Sequence, residues 1–451
     1  MMASENPPEG GDNKKQRGIS SLDRAHALRL AGDADNALRL AASILTAAPR
    51  DLGAAALVAR LLNESGRPKL AGEASARLVD AYIRRGDLVS ARVAAHIAAE
   101  TGKDLEELLE TVADTFGKGS LRSGDVSLMP PPLPQDAEIA PFFEKASGAD
   151  LLDKAEKALK RYMTSKDPVD VGSTVPRLPL FSELEPPLLA RLLGIQQLKE
   201  FRAEQSLIEQ GEEGREAFLL ARGVANVVRQ DSSGSALLAV LGPGAVFGEM
   251  ALVSRAPRGA SVIAVEPVQV LVMPRDDLEQ LAQQEVAIAR ELGRFCHGRL
   301  VSNLIRHSAI MAAVHPARRK ELIDGFQAHT FEPGELVVKQ GQEATGLFII
   351  ASGAVQVSSI DADGESVVLA QLGPGEVVGE IALVLRRPAM ADVTAIHPTV
   401  ALKLSRDRFH EVVRDYPGLI GELYELAIKR EAETNSLVAQ QALEAEDFVI
   451  L

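Results

Sequence analysis

The 451-residue sequence has no tryptophan, four tyrosines and one cysteine, Cys296. A single cysteine excludes an internal disulfide, so burial and hydrogen bonding must hold the fold, as suits a reducing cytoplasm. No apolar run is long enough to cross a bilayer, and the polar N-terminus lacks an apolar leader core. Positive charge is in deficit: 49 lysines and arginines against 63 acidic residues leave a net charge of −14. That balance argues against binding a nucleic-acid backbone, which requires basic surfaces that displace counterions. The eight histidines form no metal-ligand spacing with the cysteine or carboxylates, so no metal, cofactor or catalytic constellation is expected. A soluble, cytoplasmic protein is the resulting expectation, and the length suggests about three domains.

Residues 1–19 are rich in proline, glycine and charge, and are expected to be disordered. Residues 20–117 are alanine- and leucine-rich with helical spacing. Within them Gly32-Asp33, Gly66-Arg67 and Gly86-Asp87 each precede an alanine, at Ala37, Ala71 and Ala91, and Pro49 stands where a helix closes. The spacing of the first two glycines resembles the tetratricopeptide period. Gly86 comes too soon for it, and the consensus aromatics are missing. A stacked array would offer a groove to a protein partner of unknown identity; a plain helical bundle is the alternative. Residues 118–174 read as a proline-rich linker, with Pro130, Pro131, Pro132 and Pro134 favouring an extended spacer. It contains a short amphipathic helix bearing Leu151, Ala155, Leu159 and Tyr162 on one face.

The remainder repeats itself. Phe201, Gln210, Gly211, Phe218 and Gly223 recur as Phe331, Gln340, Gly341, Phe348 and Gly353. The turn Leu241-Gly242-Pro243-Gly244 recurs as Leu372-Gly373-Pro374-Gly375, and Gly248-Glu249 as Gly379-Glu380. Two copies of one domain follow, at 175–305 and 306–435, with an acidic-then-apolar tail at 436–451. Short β-branched runs between the turns are the signature of a small antiparallel barrel or jelly roll, and each copy ends in helical sequence, in the first from Asp276 towards Leu304. The fold class is therefore multidomain α+β: an N-terminal α-helical repeat or bundle, then two tandem β-roll domains with flanking helices.

The stretch Phe247 to Val262 has the parts needed to hold a small cyclic anion. Gly248 lets the backbone approach a ligand, Glu249 offers an acceptor for a sugar hydroxyl, and Arg258 a planar fork matched to phosphate. This stretch resembles the phosphate-binding cassette of the cyclic nucleotide-binding domain family, in Phe247-Gly248-Glu249, Ala251-Leu252, Pro257-Arg258 and Ala260-Ser261. The resemblance implies that the glutamate holds the ribose 2′-hydroxyl and the arginine the cyclic phosphate, with Met250 and Gly259 completing the site. It implies too that the helices after the β-roll move on binding. The competing reading is a buried turn whose glutamate and arginine pair with each other. A threonine often marks cyclic GMP binders; Gly259 has no hydroxyl, which favours cyclic AMP, with cyclic GMP the alternative.

The second copy keeps Gly379 and Glu380 but has Val378 for Phe247, Ala389 for Arg258 and Asp392 for Ser261. Its cassette reads as degenerate, with Arg386 and Arg387 as candidate replacements and one ligand expected per chain. The resulting expectation is a cyclic nucleotide receptor, with the first β-roll controlling helices and partner interactions. Coupling through the proline-rich linker to the N-terminal helices is expected to be the weaker branch. A scaffold whose β-rolls only mediate assembly, and a transcription regulator related to catabolite-activator proteins, are the alternatives.

Overall fold

Aspartates start most of the N-terminal helices. The computed structural model describes residues 20–124, 138–165, 175–178, 180–231, 234–249, 257–307, 325–360, 366–415 and, within 418–432, all but 419, 422 and 431. The expectations for residues 1–19, for the proline run and for the tail lie outside them. Helices α1 (Ser21–Leu30), α2 (Ala34–Ala47), α3 (Leu52–Glu64), α4 (Pro68–Arg85), α5 (Leu88–Glu100) and α6 (Leu105–Phe116) follow one another. The carboxylates of Asp33, Asp51, Asp87 and Asp104 accept from the backbone N–H groups of Asn36, Ala54, Ser90 and Glu106. Such caps contribute about 1 kcal/mol each. Gly32, Gly66 and Gly86 end the preceding helices at φ of 89°, 79° and 74°. The residue after each glycine donates its N–H back to Leu28, Leu62 and Tyr82 respectively. The recurrent glycine signal is thus a helix stop, with an aspartate beginning the next helix after Gly32 and Gly86.

The chain divides into two compact units, Met1–Ser75 with Met129–Asp167 and Ala76–Leu128 with Pro168–Leu451. In the first unit, α7 (Pro141–Glu144) packs on α2, and α8 (Gly148–Thr164) packs on both α2 and α3. Phe143, Leu151, Leu159 and Tyr162 are fully buried there beside Leu38, Leu45, Leu57 and Leu61. Arg39 donates twice to the carbonyl of Ala146, at 3.0 and 2.8 Å, and Arg67 pairs with Glu156 at 2.8 Å. The helix placed in a linker by its sequence is therefore core, because its apolar stripe has helices to cover it. Packing by a sequence-distant helix is that of a bundle and needs no repeat period.

In the second unit, two β-rolls share one topology. The first comprises β3 (Gln197–Phe201), β4 (Ser206–Ile208), β5 (Glu216–Arg222), β6 (Ala225–Asp231), β7 (Gly234–Leu241), β8 (Val246–Phe247), β9 (Ser261–Ala264) and β10 (Val268–Pro274), in sheets ordered β3-β10-β5-β8 and β4-β9-β6-β7. Before it, β1 (Ser123–Gly124) and β2 (Val175–Pro176) make a short parallel pair. The second comprises β11 (Gln327–Phe331), β12 (Leu336–Val338), β13 (Gly346–Ser352), β14 (Val355–Ile360), β15 (Ser366–Leu372), β16 (Val377–Val378), β17 (Asp392–Ala395) and β18 (Thr399–Ser405). Its sheets run β11-β18-β13-β16 and β12-β17-β14-β15. Phe218, Leu220, Val262, Val270 and Val272 form the first core, and Phe348, Ile350, Val378, Val393 and Leu402 lie in the second. Each such side chain stabilises its roll by about 1.5–3 kcal/mol.

A half-solvated strand would alternate buried and exposed residues, yet Ala217 to Ala221 of β5 are all buried. Helix α5 covers that face, while α6 packs on α9 (Pro186–Gly194). Residues 88–116 therefore pack directly on the first β-roll and on α9, a contact beyond the proline-rich linker through which the weaker coupling is expected. After the roll, α10 (Arg275–Gln284) and α11 (Val286–His307) are separated by Glu285, at φ −128° and ψ 95°. The single helical stretch expected from Asp276 is thus two helices with a hinge. Helix α12 (Glu380–Val384) lies in the second roll's cassette and α13 (Arg406–Asp415) follows its last strand.

Arg92 of α5 fixes the junction with α9. It is 1% exposed, and it donates to the carbonyls of Leu193 at 2.8 Å and Gln196 at 2.7 Å. No carboxylate among the described residues pairs with it. The negative end of α9 supplies the complementary field, and burial pulls the guanidinium down to about 10, still charged at neutral pH. Arg92→Ala strips two buried carbonyls of charged donors, for an expected loss of at least about 2 kcal/mol in urea denaturation of the full chain. Arg92→Lys, reaching one carbonyl, should fall between; a wild-type midpoint for Arg92→Ala would show that the clamp contributes nothing.

Candidate functional site

Two backbone frames bring the predicted residues of the first cassette together. Gly248 ends β8 at φ 71°, a conformation that side chains resist. A Cβ there would lie 3.0 Å from Arg258 Nη1 and 3.2 Å from the Glu216 carbonyl. At the far end of the cassette, Arg258 N–H donates to Glu212 O and Gly211 N–H donates to Arg258 O, both at 2.8 Å. Gln210 N–H donates to Ser261 Oγ at 3.0 Å. These bonds bring the Arg258 end of the cassette next to Gly248. Phe247 is buried and stacks on Phe218, with ring centroids 5.2 Å apart. Gly259 is exposed, Ala260 and Ser261 are half-buried, and Met250 and Ala251 lie outside the described residues.

The glutamate and the arginine do not pair with each other. Arg258 donates Nη1 to Gly248 O at 2.8 Å and Nη2 to Glu216 O at 2.6 Å, 6.0 Å from the Phe218 ring centroid. Burial lowers its pKa, partly offset by Glu216. Glu249 is 4% exposed, and its carboxylate accepts from Arg299 Nε of α11 at 3.3 Å. Arg299 also donates to Val246 O at 2.8 Å. Cys296, one turn earlier on α11, is buried with its Sγ 3.8 Å from the Glu249 carbonyl. Burial, with Glu249 adding to it, pushes this thiol up to about 12.

The second cassette keeps the frame and changes the side chains. Gly379 has φ 85°, and Ala389 makes the same two backbone bonds, to Gln342 and from Gly341. Asp392 Oδ1 accepts from Gln340 N–H at 2.6 Å, so its carboxylate takes over the task of the Ser261 hydroxyl. Glu380 is 2% exposed and accepts from Arg430 Nη1 at 2.7 Å, while Arg430 also donates to Val377 O. Burial raises the Glu380 pKa, opposed by Arg430. Arg386 and Arg387, the candidate replacements, are exposed at the loop tip. Sequence reading missed Arg299 and Arg430. The signal was there: they stand 131 residues apart, like Glu249 and Glu380, and like Val246 and Val377.

The cyclic nucleotide-binding domain family model matches residues 198–285 and 328–416, one stretch in each roll. Both β-rolls belong to the cyclic nucleotide-binding domain family. The cAMP-dependent protein kinase regulatory subunit of Dictyostelium discoideum is 26% identical over 249 residues, which cover 54% of this chain and 74% of that protein. Its counterpart in Yarrowia lipolytica is 26% identical over 234 residues, 52% of this chain and 58% of that protein, so the chain spans little more than half of that relative's length. A co-crystal structure of the regulatory domain of Toxoplasma gondii PKA with cAMP is 24% identical, covering 56% of this chain and 92% of its own, with a TM-score of 0.27. Among the described residues of this chain there is no group of metal-ligating side chains and no helix long and apolar enough to cross a membrane.

Within the first cyclic nucleotide-binding domain, contacts run outward from the cassette. Arg191 of α9 pairs with Glu285 and donates to Gln284 at 2.6 Å, at the α10–α11 hinge. The same α9 ends on Arg92. Glu249, Arg299, the hinge, α9 and α5 are thus linked by contiguous bonds.

Cys296 tests the packing of α11 against the cassette. Its folded thiol ionises near 12 against an unfolded value of 9.0, so the unfolded state loses its proton first as pH rises. Stability should therefore fall above pH 9, by about 1 kcal/mol per pH unit. Cys296→Ala, which places there the alanine of the equivalent Ala427, should flatten that slope between pH 9 and 10 in urea denaturation. An unchanged slope would mean that the thiol is solvated in the folded protein.

Proposed function

We propose that this protein is a cyclic nucleotide-responsive regulator with cyclic AMP bound in the first β-roll. The observation that carries the reading is the pair of Glu249 and Arg258, set on either side of Gly248 without pairing to each other. On binding, Arg258 exchanges two carbonyl acceptors for the cyclic phosphate, a charge-assisted and bidentate contact. Glu249 accepts from the ribose 2′-hydroxyl. Since Arg299 already holds that carboxylate, the ligand and α11 share one acceptor, and binding shifts the balance of α11 between its positions. The shift is limited by the ligand's differential affinity for those positions. The named relatives are regulatory subunits of a protein kinase, which supports a regulatory role; the partner here is a protein that reads the helices built around the first roll.

Arg258→Ala should weaken cyclic AMP binding by tens of fold or more, because charge-assisted bonds contribute about 1.5–3 kcal/mol each and 1.4 kcal/mol is about tenfold. Titration calorimetry of the full chain reads this directly, and undiminished tight binding by the variant would sink the assignment. Competition should favour cyclic AMP over cyclic GMP: Gly259 lacks a hydroxyl, and the Ser261 hydroxyl already accepts from Gln210. Lower half-displacement by cyclic GMP would reverse that preference.

Hydrogen exchange with and without cyclic AMP should show protection around Gly244–Gly248 and Arg258–Ser261. It should also show altered exchange in α11, α9 and α5, on the timescale of local opening. Arg191→Ala should reduce the change in α5 while leaving that at the cassette. Protection confined to the cassette would make the protein a passive binder.

A further inference from the structure

The second β-roll contains a charged residue at a core-lining position that the first does not. Val272 of β10 is fully buried opposite Phe218; its counterpart, opposite Phe348 on β18, is Lys403. An ammonium among core side chains is costly unless solvent or a partner meets it. Lys403 is half-buried and makes no ion pair among the described residues. Its Nζ lies 5.4 Å from the Phe348 ring centroid, much as Arg258 lies 6.0 Å from that of Phe218. Each roll therefore holds one cation against the same phenylalanine, delivered from different elements.

Three other differences make room for it. Val378 stands where Phe247 stacks on Phe218, so Phe348 has no stacked ring on it and meets only the edge-on ring of Phe331, 6.3 Å away, among the described residues. Gly346 stands where Glu216 does; a Cβ there would lie 2.3 Å from the Leu404 carbonyl and 3.2 Å from Lys403 Cε. Ala389 removes the guanidinium that fills this place in the first roll. The neighbouring carboxylates are engaged elsewhere: Glu380 with Arg430, Asp392 with the Gln340 N–H, Glu343 with Arg406. Glu376 lies 3.7 Å from Arg430.

We propose that Lys403 replaces the missing cassette arginine, and that the second roll is a weaker site for a phosphorylated nucleoside, with Glu380 taking the ribose hydroxyl as Glu249 does. The inference rests on the reading of the first roll as a cyclic nucleotide site. It revises the expectation of one ligand per chain. An ammonium is a point charge without the guanidinium fork, so affinity here is lower than in the first roll.

Titration of the full chain with cyclic AMP should resolve a tight phase, lost in Arg258→Ala, and a weaker phase that persists in that variant. Adding Lys403→Met should weaken the remaining phase at least tenfold, about 1.4 kcal/mol, while Lys403→Arg should retain it and show that the roll still folds. Adenosine, which lacks the phosphate, should be insensitive to Lys403→Met. A weak phase that ignores Lys403→Met overturns the proposal, as does its absence while Lys403 is intact. A wild-type chain that binds no cyclic nucleotide would instead overturn the receptor reading itself. Only an Arg258-dependent phase would leave that reading standing and remove the second site.

Discussion

A carboxylate buried at the end of a short strand must find a cation, and in both β-rolls it finds one on the helical segment that follows. Glu249 and Glu380 are nearly inaccessible, and Arg299 and Arg430 reach them while also donating to a strand carbonyl. A buried, broken pair is strongly destabilising, so each following segment is held to its cassette by a contact that cannot be lost without replacement. On the proposed reading, a ligand hydroxyl competes with that arginine for the same acceptor. On that reading, the group that recognises the ribose and the group that positions the helix are one carboxylate, so binding and helix position are thermodynamically linked.

That link does not stop at the β-roll. Helix α11 starts at the Glu285 hinge, where Arg191 ties it to α9, and the C-terminus of α9 is closed by Arg92 from α5. Helix α5 in turn covers the outer face of β5, one strand of the sheet that ends in the cassette. The first cyclic nucleotide-binding domain is thus enclosed by helices from both sides of its sequence. Whether these bonds carry coupling energy is a question of two discrete arrangements, and Glu285, a break between two helices, is where such arrangements can differ.

The two rolls show how one frame tolerates different chemistry. Strand order, the positive-φ glycine, the backbone bonds around Arg258 or Ala389, and the acceptor for Gln210 or Gln340 are common to both. Only the side chains inside the frame differ, and they differ as a group. Asp392 looks like a repulsive intrusion in sequence, yet it performs the hydrogen bond of a serine. Lys403 looks like an unremarkable strand residue, yet it stands in a core position against the ring that marks the cation's place.

The sequence by itself determined the duplication, the β-roll class and the Gly248, Glu249 and Arg258 set, because these rest on local signals: turn glycines, β-branched runs and a fixed spacing. The recurrence of Gly32, Gly66 and Gly86 was legible as well, but their role as helix stops came from the structure, which does not confirm a repeat. Tertiary structure alone decided which groups meet. Arg299 lies 50 residues beyond Glu249 and Arg92 lies 101 residues before Leu193. The amphipathic stripe of α8 does not say which helices bury it, and Lys403 gains its meaning only from Phe348 across the strand pair. Long-range partners are chosen by shape and by the need to satisfy buried charge, and neither is written in the spacing of neighbouring residues.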